Sequence, residues 1–86
     1  MPSLEDLDKK IFNSLRYAIS ETLSVDISGI HGSSFIQADF GADSMSILTI
    51  AILLEDDLGV ELDPSELPET DYTVSDIAKL LREKFD

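Results

Sequence analysis

The 86-residue sequence contains no cysteine. Disulfide bonds, metal sites built on thiolates and a cysteine nucleophile are therefore excluded. Histidine is almost as scarce, because His31 is the single example and lies in a stretch rich in glycine and serine. One histidine does not make a zinc site, and a Ser–His–Asp triad drawn from Ser44 and His31 lacks the usual Gly-x-Ser-x-Gly context. We therefore expect no metal centre, no catalytic residues and no enzymatic activity.

Long apolar runs are also missing. No stretch reaches the roughly 18 residues that a membrane-spanning helix requires. Residues 1–6 are acidic, whereas the start of a signal peptide is basic. These features predict a soluble cytoplasmic protein that makes no contact with membranes. The length accommodates one small domain over residues 1–86, and we expect a monomer.

Basic residues are few and confined to the two ends of the chain. Six lysines and arginines stand against eighteen acidic residues, which gives a net charge of −12. The span between Tyr17 and Ala78 contains thirteen of the acidic residues and no lysine or arginine. Such a surface repels nucleic acid and anionic membranes, and it steers the domain towards basic partner surfaces. The alternative is that the acidic residues simply keep a small domain soluble.

Apolar residues at three- and four-residue steps predict a long amphipathic helix near the start of the chain. It runs from about Leu4 to about Leu23, with a stripe formed by Leu4, Leu7, Ile11, Leu15, Ala18, Ile19 and Leu23. Residues 24–43 then predict a long loop that contains spaced apolar residues. Loops of this length are usually functional or anchored. We expect Phe35 to anchor this one in the core.

A second helix is predicted from Ser44 to Leu58, with Gly59 as its C-terminal stop. At 100° per residue, its apolar side chains separate into two opposite stripes. The stripe that we assign to the core consists of Ile47, Ile50, Ala51, Leu54 and Leu58. The opposite stripe consists of Met45, Leu48 and Ile52, with Asp56 on the same side. Either this helix is buried all round, or the second stripe meets a partner, which we favour because exposed apolar patches mark interaction sites.

The last third of the chain predicts one short helical turn and one amphipathic helix. Pro64 and Pro68 leave room for a single turn between them. Thr73 with Asp76 resembles a capping box, and it opens a closing helix whose apolar residues are Val74, Ile77, Ala78, Leu80, Leu81 and Phe85. No convincing strand is present. We therefore predict an all-α fold, a small bundle of three to four helices with a long loop between the first and second.

Ser44 occupies the position where the long loop becomes the second helix. Unpaired backbone N–H groups and the positive end of the helix dipole lie beside a side chain at this position. A phosphate ester on Ser44 would be stabilised there, as free phosphates are at helix starts. The alternative is that Ser44 or Asp43 is merely the residue that caps the helix.

The chain from Phe35 to Leu62 resembles acyl carrier proteins. The likeness rests on Ser34-Phe35, on Phe40-Gly41-Ala42-Asp43-Ser44-Met45, and on Leu54-Glu55-Asp56-Asp57-Leu58-Gly59-Val60-Glu61-Leu62. The Thr73-Val74-x-Asp76 step and the opening helix extend it over nearly the whole chain. The Gly-x-Asp-Ser core is short, and its specificity comes from its place at a helix start and its spacing to the acidic helix end.

By this resemblance, Ser44 is the attachment site of 4′-phosphopantetheine, which a phosphopantetheinyl transferase would transfer from coenzyme A with magnesium. A chain without cysteine needs such an imported thiol to hold thioesters. Asp43 would contribute to recognition by the transferase. The family's partner face, which meets ketosynthase, acyltransferase and other synthase domains, matches Met45, Leu48 and Ile52, to which we add Asp56.

The resemblance also implies a subgroup. Ser46 and Thr49 stand where stand-alone fatty-acid carriers usually have acidic residues, and this part of the chain looks more like carrier domains of multidomain polyketide synthases. Ala42 stands where peptidyl carriers usually have glycine. The resemblance therefore implies a polyketide-type acyl carrier that presents thioesters to synthase enzymes. The alternatives are a fatty-acid carrier, a peptidyl carrier domain, or a helical interaction module without a prosthetic group.

Overall fold

The computed structural model describes residues 4–85, and this part of the chain is helical. Its three α-helices are α1 (Leu4–Leu23), α2 (Ser44–Leu58) and α3 (Val74–Glu83). Two 3-10 turns, Ile27–Gly29 and Pro64–Glu66, lie in the connections. Within residues 4–85 the extended pairing is limited to one isolated bridge, and no helix is long and apolar enough to cross a membrane. The predicted all-α bundle and its helix starts are confirmed.

Helix α1 is the element against which both other helices pack. The middle part of its predicted stripe supplies the centre of the core, because side chains three and four positions apart share one face of a helix. The buried apolar residues are Ile11, Leu15, Ala18 and Ile19 from α1; Ile47, Ile50, Ala51 and Leu54 from α2; Val74, Ile77 and Leu81 from α3; and Ile30, Ile36, Ala42, Leu62 and Tyr72 from the connections. Burying this set supplies most of the stability of a domain of this size.

The long loop is anchored, but not by the residue that we expected. Phe35 is 44% exposed, whereas Ile30 and Ile36 are buried. Phe35 forms the isolated bridge with Thr73, so the backbone is extended at this point. Side chains of adjacent residues point to opposite sides of extended backbone, and the bridge directs Ile36 inward and Phe35 outward. The assignment of Phe35 as the core anchor is therefore wrong.

Helix α2 separates into the two predicted faces. The core stripe is buried except at Leu58, which is partly buried. Met45, Leu48 and Ile52 are 69%, 45% and 57% exposed. Gly59 ends the helix with φ 71°, and its N–H donates to the carbonyl of Glu55. The left-handed conformation at the end of a helix favours glycine, as predicted. Helix α2 is therefore not buried all round, because it presents the apolar side chains of this second stripe to solvent.

Helix α3 begins with the predicted capping box. Thr73 Oγ1 accepts a hydrogen bond from the N–H of Asp76, and the Asp76 carboxylate accepts one from the N–H of Thr73. The helix ends at Glu83, so Phe85 lies beyond it and is 39% exposed. The expectation that Phe85 continues the apolar stripe of α3 is wrong, because the chain leaves the helix two residues earlier.

Candidate functional site

Ser44 is the first residue of α2 and is exposed to solvent. Within residues 4–85 its hydroxyl group has no hydrogen-bond partner, whereas the next hydroxyl groups along α2 are both engaged. The first turn of α2 contains no acidic residue to offset the positive end of the helix dipole. The site therefore presents an accessible oxygen nucleophile beside backbone N–H groups that favour an anion.

Asp43 is the residue that caps α2. Its Oδ1 atom accepts hydrogen bonds from both the N–H and the hydroxyl group of Ser46, each at 2.9 Å. These two bonds, the backbone one foremost, hold the pKa of Asp43 below its ordinary value. A fixed negative charge consequently precedes Ser44 by one residue at neutral pH. Of the two capping alternatives, Asp43 takes the role and Ser44 does not.

The segment before Asp43 is a compact turn that ends at a glycine. Gly41 has φ +68°, and its N–H donates to the carbonyl of Gln37 at 2.8 Å. The N–H of Ala42 donates to the carbonyl of Ile36 at 3.2 Å, and both side chains are buried. A left-handed residue is strained when it carries a Cβ atom, so Gly41 suits this position. The turn joins the buried anchor Ile36 to the exposed Ser44.

A groove opens beside Ser44, between the start of α2 and the connection to α3. Its volume is about 590 Å³, and its walls include Ser44, Ile47, Leu67 and Tyr72. Tyr72 is 5% exposed, and burial first and then the charge of Asp71 raise the pKa of its phenol group. A group bonded to the Ser44 hydroxyl would begin at the edge of this groove and could lie along it or extend into solvent.

An exposed apolar surface continues from Ser44 along α2. We call it the outer face; it consists of Met45, Leu48 and Ile52, and the exposed Asp56 lies on the same side one turn further on. Thr49 lies on this side too, and its hydroxyl donates back to the carbonyl of Met45 at 3.0 Å. That bond satisfies the hydroxyl group within the helix and makes the face less polar. The structure thus places the predicted partner residues on one surface beside Ser44.

His31 takes no part in this arrangement. It is exposed, and its backbone N–H donates to the hydroxyl of Ser34 at 3.1 Å. No hydrogen bond joins it to Ser44 within residues 4–85, which leaves the Ser–His–Asp triad without support. In the same part of the chain, no group of three or more histidine, aspartate or glutamate side chains could hold a metal ion.

One residue near the site was not found from the sequence. The carboxylate of Asp71 accepts hydrogen bonds from the N–H groups of Gln37 and Ala38, at 2.9 and 3.0 Å. It thereby reaches from the residues before α3 to the turn that precedes Ser44. No local pattern signals such a contact, because Asp71 follows Gln37 by 34 positions and Ala38 by 33 positions in the sequence.

Comparison with known proteins agrees with this geometry. Residues 13–81 match the protein family described as phosphopantetheine attachment site. An acyl carrier protein of Thermotoga maritima is 33% identical over 76 residues, which cover 88% of this chain and 93% of that protein. The family match includes the capping Asp43, the free hydroxyl group of Ser44 and the whole of α2.

Proposed function

The chain belongs to the acyl carrier protein family, and we propose that it holds acyl groups as thioesters on an arm bonded to Ser44. As a member of this family it carries covalent 4′-phosphopantetheine. The observation that supports Ser44 as the attachment residue is its free, exposed hydroxyl group at the start of α2. When bound, the prosthetic group supplies the thiol that this cysteine-free chain lacks.

The start of α2 fits a phosphodiester. During attachment the hydroxyl oxygen of Ser44 forms a bond to phosphorus, the pyrophosphate linkage of coenzyme A breaks, and adenosine 3′,5′-bisphosphate leaves. The hydroxyl proton passes to a base on the transferase. The negative charge of the phosphodiester would lie at the N-terminal end of α2, where the dipole and the unpaired N–H groups would stabilise it. Among residues 44–46, Ser44 is the serine whose hydroxyl group is free to react, because that of Ser46 is bonded to Asp43.

We assign Asp43 a role in recognition by the phosphopantetheinyl transferase. Its carboxylate is held in place by Ser46 and precedes the reacting hydroxyl group by one residue. A fixed charge next to the reacting hydroxyl group contributes more to the orientation of the transferase than to its affinity, because electrostatic complementarity mainly sets register and encounter rate.

Acyl carrier proteins work with synthase enzymes, and we propose that the outer face of α2 is where this carrier meets them. An apolar patch next to the attachment residue would hold a ketosynthase or acyltransferase domain close to the arm. Asp56 lies at the far end of the patch and would pair with a basic residue of the partner. In this account the chain is a monomer that performs no chemistry itself, and its cargo reacts in the active sites of its partners.

We further propose that the partners belong to a polyketide synthase. Ser46 and Thr49 leave the first turns of α2 without the acidic residues usual in fatty-acid carriers. The Ser46 hydroxyl donates to the carboxylate of Asp43, and the Thr49 hydroxyl donates to a backbone carbonyl of the helix. The holo protein should accept acyl groups faster from a polyketide acyltransferase than from a fatty-acid malonyl transferase. The double variant S46E/T49E should shift that preference towards the fatty-acid enzyme. A wild-type preference for the fatty-acid transferase would contradict the assignment.

Acylation of the holo protein tests the carrier function. After incubation with an acyl-CoA and an acyltransferase, the holo protein should gain one acyl group that hydroxylamine removes, since hydroxylamine cleaves thioesters. A carrier that accepts only amino acids from an adenylating enzyme would be a peptidyl carrier. A chain that accepts neither cargo, although it bears the arm, would contradict the proposal. The family match does not favour an interaction module without a prosthetic group.

A further inference from the structure

The long loop that leads to Ser44 is hydrogen-bonded to the residues at the start of α3. The long loop pairs with residues 72–75, because the N–H of Ile36 donates to the carbonyl of Tyr72 at 2.9 Å and the N–H of Val74 donates to the carbonyl of Ser34 at 3.0 Å. The N–H of Ser75 donates to the carbonyl of Gly32 at 2.9 Å. These bonds fix residues 32–36 of the loop to the start of α3.

The backbone pairing stops at Ile36. The next two N–H groups towards Ser44 donate instead to the side chain of Asp71. One carboxylate oxygen accepts the N–H of Gln37 and the other accepts the N–H of Ala38. The first oxygen also accepts the N–H of Tyr72 at 2.9 Å. Gln37 and Ala38 open the turn that closes at Gly41, and N–H groups at the opening of a turn need partners from elsewhere. Asp71 therefore caps this turn from a distant part of the sequence.

The charge state of Asp71 suits this role. Partial burial raises the pKa of its carboxyl group, but the hydrogen bonds from Gln37, Ala38 and Tyr72 outweigh burial and leave the pKa below its ordinary value. The carboxylate is consequently ionised at neutral pH, and both of its oxygens are acceptors. An asparagine there would offer one acceptor oxygen and turn an amide donor towards a backbone N–H.

We propose that Asp71 is a positioning residue for attachment of the prosthetic group, acting on Ser44 through the turn of residues 37–42. This inference rests on the proposed attachment at Ser44. When Asp71 holds the turn closed, Asp43 and Ser44 take the position that the transferase binds. When its bonds are lost, the turn opens for part of the time and only the closed fraction is competent to bind. The apparent affinity then falls to the closed fraction of its full value, while the chemical step in the bound complex is unchanged.

Steady-state kinetics of a phosphopantetheinyl transferase with the apo chain as varied substrate test the proposal. Asp71→Asn should raise the KM for the carrier about tenfold and leave kcat within about twofold, the pattern of a smaller competent population. Asp71→Glu keeps both acceptor oxygens and should restore part of the loss. The matched control is Asp76→Asn. It also replaces a carboxylate that accepts a backbone N–H, but that N–H belongs to Thr73 and not to the turn of residues 37–42. It should leave KM unchanged.

Amide hydrogen exchange provides the structural readout. The N–H groups of Gln37 and Ala38 should exchange about tenfold faster in Asp71→Asn and at the wild-type rate in Asp76→Asn. Equal rises of KM in both variants would overturn the proposal, because they would reflect general loss of stability. A wild-type KM in Asp71→Asn would overturn it while leaving attachment at Ser44 intact. Failure of the wild-type chain to be modified at Ser44 would overturn both.

Discussion

The carboxylate of Asp43 accepts both hydrogen bonds that Ser46 can donate towards it, one from the backbone N–H and one from the hydroxyl group, each at 2.9 Å. Asp43 thus caps α2 and accepts the hydrogen bond of the Ser46 hydroxyl group. The hydroxyl group of Ser44 has no hydrogen-bond partner within residues 4–85. Capping and attachment are assigned to neighbouring residues, and the reactive oxygen needs no hydrogen bond broken before it reacts.

Asp43→Ala should slow attachment and also destabilise α2, because it removes both the cap and the charge beside Ser44. Asp43→Asn separates the two effects. Asparagine caps helices about as well as aspartate, so its thermal midpoint should stay near the wild-type value while kcat/KM for the transferase falls about tenfold. Wild-type kinetics in Asp43→Asn would show that the charge has no part in recognition.

Gly41→Ala should lower the free energy of unfolding by about 1 kcal/mol, because an alanine at φ +68° is strained. It should also slow attachment, since the turn that leads to Ser44 must change shape. Gly59→Ala is the control: it has φ +71° and equally open space around an added Cβ atom, but lies at the other end of α2. Urea unfolding should show similar losses of stability in both variants. Transferase assays should show slower attachment in Gly41→Ala but not in Gly59→Ala.

Leu48→Glu should weaken the acyltransferase and ketosynthase reactions while changing the free energy of unfolding by less than about 0.5 kcal/mol, since Leu48 is on the outer face. Leu54→Ala, on the opposite face of the same helix, should cost about 2–5 kcal/mol because Leu54 is fully buried. Urea unfolding distinguishes the two. A loss above about 2 kcal/mol in Leu48→Glu would place that residue in the core.

Acid should remove a stabilising contribution from Asp63. Its carboxylate accepts the N–H of Ser65, the main reason why its pKa lies below the ordinary value of 3.8. Because the folded-state pKa is the lower one, the contribution is complete above the unfolded pKa and is lost as pH falls through the folded pKa. The stability difference between wild type and Asp63→Asn should therefore be constant from pH 7 to 5 and vanish below the folded pKa. A difference that stays at full size as pH falls, even after Asp63 has become protonated in the folded state, would contradict this.

The sequence was sufficient for features that depend on local spacing and insufficient for those that depend on distant partners. The two faces of α2 and the capping box at Thr73 follow from three- and four-residue steps, which are properties of a single helix. The inward direction of Ile36 depends instead on pairing with the residues around Thr73, so Phe35 was misassigned. The contact from Asp71 to the turn is equally non-local. The free hydroxyl group of Ser44 also became visible only once Asp43 was seen to be the cap.

The central claim is that Ser44 bears the prosthetic group. Intact mass measured after incubation with coenzyme A, magnesium and a broad-specificity phosphopantetheinyl transferase tests it most directly. The wild-type chain should gain the mass of one phosphopantetheine, and fragmentation should place it on Ser44. Ser46→Ala should gain the same mass, whereas Ser44→Ala should gain none and keep its helical circular dichroism spectrum. Modification of Ser44→Ala, or no gain by a folded and initially unmodified wild-type chain, would contradict the account.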